Sequence, residues 1–262
     1  MTFSLTVLGS NAAIPANNRK LSAHLLNANE RFFLIDCGEG TQFQLRTFHI
    51  SIQRIRRVFI SHLHGDHFFG LIGLLNSMHL LGRKEELHLY APATLRDIID
   101  IQMEASGTTL QFPLIFHPLR FDQQDLLFED GRILIHSFPL KHSIPTCGFI
   151  FREKNPPRKV GISRSYAYCS DTAYSEEIIP FVKEVGLLYH EATFMQQLAT
   201  AAADKFHSTA MEAATIASLA GAKKLLIGHF SARYEDIGPL VAEARTIFQE
   251  TYPAEEGIVI NI

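Results

Sequence analysis

Cysteine is scarce in this chain of 262 residues: Cys37, Cys147 and Cys169 stand far apart with no C-x-x-C spacing, which excludes a disulfide framework and a thiolate zinc knot. An excess of positive charge is missing too. The formal net charge is -3, so no global basic field draws nucleic acid and any such binding must be local. No apolar run approaches membrane-spanning length, and MTFSLTVLGS lacks the basic start, apolar stretch and cleavage site of a signal peptide. The expectation is a soluble, cytoplasmic protein with reduced, buried thiols and no membrane association. Low-complexity tracts and fixed-period repeats are absent as well. What is present is a hydrophobic share of 47%, enough for a large core, in a length that fits one α/β domain.

The chain opens with β structure. Phe3, Leu5, Val7 and Leu8 read as a strand running into a Gly-Ser-Asn turn, and HLLNANERFFLIDCG reads as a hairpin ending at Asp36. RRVFISH is an apolar strand, Gly70 to Leu81 a packed helix, ELHLYAP a strand and ATLRDIIDIQMEAS a helix. LIFHPLRF, GRILIHSFPL and CGFIFRE read as further strands. Beyond a polar, proline-containing segment come strand SYAYCSD, helix SEEIIPFVKEV, strand LLYHEA, helix HSTAMEAATIASLA, strand KKLLIGHF, a helix from about Asp236 to Gln249, and strand GIVINI. Strand runs in each half, each followed by helices, suggest two facing sheets with helices outside, an αββα sandwich.

The densest chemistry is His62-Leu63-His64-Gly65-Asp66-His67, four potential ligands just after a strand. Imidazoles and a carboxylate this close suffer desolvation and repel one another when protonated, costs that a bound divalent cation removes. Zinc suits the ligand types, with manganese or iron as alternatives. Gly65 is expected to let the backbone turn closely. Four residues cannot fill two metal shells. His142, Asp171 and His229 each stand where an apolar strand gives way to a turn, and are the further candidates. His49, His79, His88, His117 and His136 carry no such signal.

An H-x-H-x-D-H cluster followed by a histidine, an aspartate and a histidine at strand ends resembles the metallo-β-lactamase superfamily over nearly the whole chain. The resemblance implies a four-layer αββα sandwich in a single domain, residues 1–262. It also implies two Zn2+ per chain, with Mn2+ or Fe2+ possible: His62, His64 and His142 hold one ion, Asp66, His67 and His229 the other, and Asp171 bridges them. Asp36, in LIDCGEGT, resembles the early aspartate that orders the cluster from behind the ligands.

Fold and metals do not name a substrate. LIDCGEGTQFQL, HEAT (residues 190–193), HST (207–209) and GHFSARY (228–234), in this order, resemble the ribonuclease Z family. By that likeness the expected activity is endonucleolytic removal of 3′ extensions from precursor tRNA, by a homodimer. Two metal ions about 3.5 to 4 Å apart activate a hydroxide and neutralise the attacked phosphodiester. The resemblance puts His207 beside the site as the group that protonates the 3′ oxygen, with Glu191 orienting it; the catalytic residues are then Asp66, His207 and Glu191. The plain alternative for His207 or Ser208 is an N-cap of the next helix.

Two departures stand out. Ser170 precedes the bridging aspartate where the family often has glycine. The family's long flexible arm, inserted between the third histidine ligand and that aspartate, is reduced to the short segment 152–163, since only 29 positions separate His142 and Asp171. Either the arm is reduced or residues are omitted. A phosphodiesterase acting on small or cyclic substrates is the alternative this favours; an acyl hydrolase would need no acid for a ribose leaving group, and a dead-site scaffold would have lost ligands. Two basic stretches, Arg54, Arg56 and Arg57, and Arg152, Lys154, Arg158 and Lys159, each read alone as solvated surface.

Overall fold

A computed structural model describes residues 2–154 and 164–262. Most of segment 152–163, with Arg158 and Lys159, lies outside the described residues. The chain divides into two compact units, one of residues 2–119 with 256–261 and one built on residues 120–255.

The first unit holds a mixed seven-stranded sheet. Its strands are β1 (Phe3–Gly9), β2 (Ala23–Ala28), β3 (Arg31–Ile35), β4 (Ile55–Phe59), β5 (Leu87–Ala91), β6 (Leu114–Pro118) and a late strand, β14 (Val259–Asn261). The order is β14-β1-β2-β3-β4-β5-β6. The β2–β3 hairpin turns at Asn29 and Glu30, both with positive φ (55° and 66°), the backbone of a turn that matches strand twist. From β3 to β6 the pairing is parallel, which requires crossover helices. These are α1 (Thr41–Thr47), the single turn α2 (Gly65–Phe68), α3 (Leu71–Leu80) and α4 (Leu95–Ala105). Leu45, Leu71, Leu74, Leu75, Met78, Leu95 and Ile99 bury against Leu25, Leu34, Val58 and Leu89 of the sheet.

In the second unit the sheet runs β13-β12-β11-β10-β9-β8-β7, from β7 (Asp125–Glu129), β8 (Ile133–Leu140), β9 (Thr146–Glu153), β10 (Ser165–Cys169), β11 (Leu187–Glu191), β12 (Leu225–Gly228) and β13 (Thr251–Pro253). β7 to β10 pair antiparallel, and β10 to β13 parallel. The helices are α5 (Ile179–Val182), α6 (Ala199–Asp204), α7 (Ala210–Ala220) and α8 (Gly238–Arg245). Ala210, Ala213, Ala214 and Ala217 give α7 a smooth face that packs with Leu188, Ile227 and Leu240.

Sequence periodicity misses β7, β13, α1 and α6. It also overextends SEEIIPFVKEV, which forms only a 3-10 turn at Glu176–Ile178 and the four residues of α5. Pro180 accounts for this: it offers no N–H and its ring crowds the carbonyl four residues back, so no continuous helix passes through it. The three cysteines are buried and form no disulfide. Among the described residues, no helix is long and apolar enough to cross a membrane.

Candidate active site

In the first unit the ligand candidates follow β4. Ser61 and His62 leave the strand, His64 precedes α2, and Asp66 and His67 lie within it. Asp36, at the end of β3 with φ 55°, organises them. It accepts from Ser61 N (2.8 Å), from Ser61 Oγ (2.9 Å) and from His67 Nδ1 (2.6 Å). Because Ser61 Oγ donates its one proton to this carboxylate, it accepts from His62 Nδ1 at 2.9 Å. Both histidines therefore carry their lone pair on Nε2. His62 Nε2 lies 3.2 Å from His64 Nδ1, close to the about 3.3 Å that separates two nitrogens bound at about 2.0–2.1 Å to a tetrahedral ion. Asp66 Oδ2 accepts the Ala13 amide at 2.8 Å and lies 3.5 Å from His67 Nε2.

The second unit repeats this logic. His142, Asp171, His207 and His229 stand in turns, with left-handed backbone at Asp171 (φ 57°) and His229 (φ 56°) just past their strand ends, a conformation that Asp and His tolerate better than most residues. His142 Nδ1 donates to the Phe206 carbonyl (3.0 Å), and His229 Nδ1 to Thr193 Oγ1 (2.9 Å), whose proton goes to Glu191 Oε2 (2.6 Å). Each ring again turns Nε2 inward. His142 Nε2 lies 3.6 Å from Asp171 Oδ2 and His229 Nε2 lies 3.1 Å from Asp171 Oδ1. The two oxygens of one carboxylate thus address two different imidazoles. Ser170 Oγ donates to Asp171 Oδ1 at 2.9 Å, so the serine in place of glycine adds a hydrogen bond. Burial holds the His142 pKa below the ordinary histidine value, against the opposing pull of Asp171, which favours the neutral form that a metal ligand needs.

His207 lies in the same group. Ligand atoms of Asp171, His207 and His229 all fall within 4.8 Å of one another. Glu191, fully buried at the end of β11, accepts His207 Nδ1 at 2.7 Å. It also accepts from the Thr172 amide (2.8 Å) and the Ser208 amide (3.1 Å). Burial alone would raise the Glu191 pKa, but the charge and hydrogen bond of His207, with His229, outweigh it and hold the carboxyl below its ordinary value. The N-cap of α7 is neither His207 nor Ser208. Thr209 takes that role in a reciprocal capping box with Glu212, which leaves the His207 ring to Glu191.

Sequence reasoning misses Ser61, Thr193 and the Phe206 carbonyl, the acceptors that fix three tautomers. Thr193 ends HEAT and Ser61 precedes His62, yet hydroxyls have too many common roles for position alone to mark them. The close backbone turn expected at Gly65 takes another form: the residue starts α2 with ordinary helical backbone, and a Cβ there would meet the Phe69 ring at 2.3 Å. Among the described residues of the basic stretches, four are engaged. Arg54 pairs with Glu30 at 2.6 Å and lies over the Phe32 ring, Arg56 reaches Glu85 at 3.4 Å, Lys154 pairs with Glu129, and Arg152 donates to the Phe181 carbonyl.

The family model described as Anti-Pycsar protein Apyc1 matches residues 3–249. The chain is 41% identical over 298 aligned positions to a Ribonuclease Z of Cytophaga hutchinsonii, covering 98% of this chain and 95% of that protein. The alignment is longer than the chain's 262 residues, so the relative has positions without a counterpart here. Among solved structures, human tRNase Z, short form, superposes with a TM-score of 0.84 at 36% identity, covering 98% of both chains. The metallo-β-lactamase fold protein YhfI from Bacillus subtilis superposes with a TM-score of 0.77 at 25% identity, covering 99% of both. The α/β fold of two mixed sheets with their helices is that of these proteins.

Proposed function

The chain belongs to the ribonuclease Z family, and from that premise we propose that it is a zinc-dependent endoribonuclease that removes 3′ extensions from precursor tRNA. The reading is carried by one observation: a histidine held by a buried carboxylate stands within 4.8 Å of two candidate metal ligands. A thioester's thiolate leaves readily without a proton, whereas a ribose 3′ oxygen leaving as an alkoxide needs one.

The donor set suits two transition-metal ions. In the proposed assignment, His62, His64 and His142 hold one, Asp66, His67 and His229 the other, and Asp171 both. When bound, such ions supply a hydroxide nucleophile at neutral pH and neutralise charge on the phosphodiester. The protein's own residues do the rest. Asp36, Ser61 and Thr193 fix ring tautomers so that Nε2 is the ligating atom. Glu191 accepts the Nδ1 proton of His207 and its negative charge favours a second proton at Nε2, the position from which the ring would protonate the departing 3′ oxygen. A cytoplasmic homodimer completes the proposal.

A second reading, hydrolysis of small or cyclic phosphodiesters, is favoured by the relative's extra aligned positions. With those positions absent, fewer residues would be available to reach RNA away from the cut. Zinc-loaded protein incubated in parallel with a 3′-extended pre-tRNA and a small chromogenic phosphodiester decides between them. Preferred and site-specific cutting of the pre-tRNA supports the nuclease; turnover of the small ester alone overturns it.

A further inference from the structure

The side chain that follows the candidate metal loop points out. Phe69 keeps 65% of its surface in solvent, although it stands two residues after His67 and caps the C-terminus of α2. The ring is nevertheless held. A Cβ on Gly65 would overlap three of its carbons, at 2.3 to 2.7 Å, so the ring rests on the bare backbone of Gly65. Phe68 meets it edge-on, with centroids 4.9 Å apart. Gly65 is the residue that joins His64 to Asp66. The ring therefore lies against the peptide between two candidate ligands, supported on one side and open on the other.

Three other exposed apolar side chains differ in setting. Phe43, Leu80 and Leu81 line a groove to which no candidate ligand contributes. Burying a phenyl ring is worth about 1.5–3 kcal/mol, and a ring kept exposed and fixed beside a reacting centre is suited to an aromatic partner that arrives with the substrate. In an RNA the aromatic group next to a phosphodiester is a nucleobase. Such bases stack on protein rings with little regard to sequence, and a ring immobilised beforehand loses little freedom on binding.

We infer that Phe69 is a stacking platform for a nucleobase flanking the scissile phosphodiester, and so a substrate-positioning residue. This rests on the nuclease reading above. The test compares zinc-loaded wild type, Phe69→Ala and Phe69→Tyr on two pre-tRNAs, one with its natural bases at the cleavage point and one abasic at the flanking nucleotides. KM and kcat are read separately, and 2-aminopurine at the same nucleotides reports stacking by fluorescence quenching.

Phe69→Ala should raise KM for the base-bearing RNA by about 5- to 150-fold, leave KM for the abasic RNA at the wild-type value, and abolish the quenching. Phe69→Tyr should retain both. Zinc content and melting temperature should match wild type in each variant, since the ring is exposed. The inference is overturned if Phe69→Ala weakens both RNAs equally, or weakens neither and leaves the quenching intact. If zinc-loaded wild type cuts neither RNA, the nuclease reading fails instead, and this inference with it.

Discussion

His207 donates its Nδ1 proton to a carboxylate that is itself held by backbone amides, so the ring cannot rotate away without breaking a buried network. Replacing it with alanine should lower pre-tRNA cleavage by about 10²- to 10⁴-fold, the range of general acid catalysis, with metal content unchanged by elemental analysis. Loss of metal would make it a ligand instead. A second histidine reports on stability. His24, fully buried, has its pKa pushed down to about 3 by desolvation. Its neutral form is native while the unfolded chain protonates near pH 6.5, so the stability it contributes is complete above pH 6.5 and is lost as pH falls towards 3. The slope is up to about 1.4 kcal/mol per pH unit; thermal melts of His24→Gln should show a shallower acid decline than wild type. The ligand candidates are legible in the sequence because four of them crowd six positions and the others end apolar strands. Ser61 and Thr193 are not, because a hydroxyl declares its role only once its neighbours are known, and the Phe206 carbonyl has no side-chain signature at all.

Among the elements, α7 begins at Ala210, directly after the HST segment, with Thr209 Oγ1 accepting the Glu212 amide and Glu212 accepting the Thr209 amide. Thr209 also donates to Gln196, tying α7 to the preceding turn. Thr209→Ala should therefore cost about 1 kcal/mol by denaturant melt. It should also slow cleavage by loosening the approach to His207, whereas Glu212→Gln, which keeps the reciprocal bond, should cost less on both counts. Long apolar strands and α3, α4 and α7 are readable from periodicity. β13 is three residues long with a proline, β7 has no fully buried position, and α1 has as its N-cap Gly40, with φ 87° and no side chain to cap the helix. Short edges and uncapped starts leave no periodic or capping signal to read.

At the scale of the whole molecule, metal and RNA each leave a measurable trace. Stripping metal with a chelator should lower the melting temperature, and zinc at about 100 times its dissociation constant should restore about 2.7 kcal/mol per site. A stoichiometry near two that falls in Asp171→Ala fits a shared carboxylate; a value near one, unchanged in that variant, overturns it. Binding of pre-tRNA should show a shallow salt dependence, because each phosphate contact adds about 0.7 to 0.9 to the slope and Arg54 and Arg56 are engaged by Glu30 and Glu85. A steep slope in filter-binding titrations would contradict this. One property of the second sheet limits how such a site can change. Asp171, Glu191 and His229 follow or end three neighbouring parallel strands, with Cys169 opposite His190 and Glu191 opposite Gly228. The backbone ladder thus acts as a ruler with divisions of about 4.8 Å, and side-chain length is the only adjustable quantity. Glu191→Asp keeps the charge and forfeits reach; Glu191→Gln keeps reach and forfeits charge. Comparing the two by cleavage rate measures how much of the acid's alignment is set by distance alone.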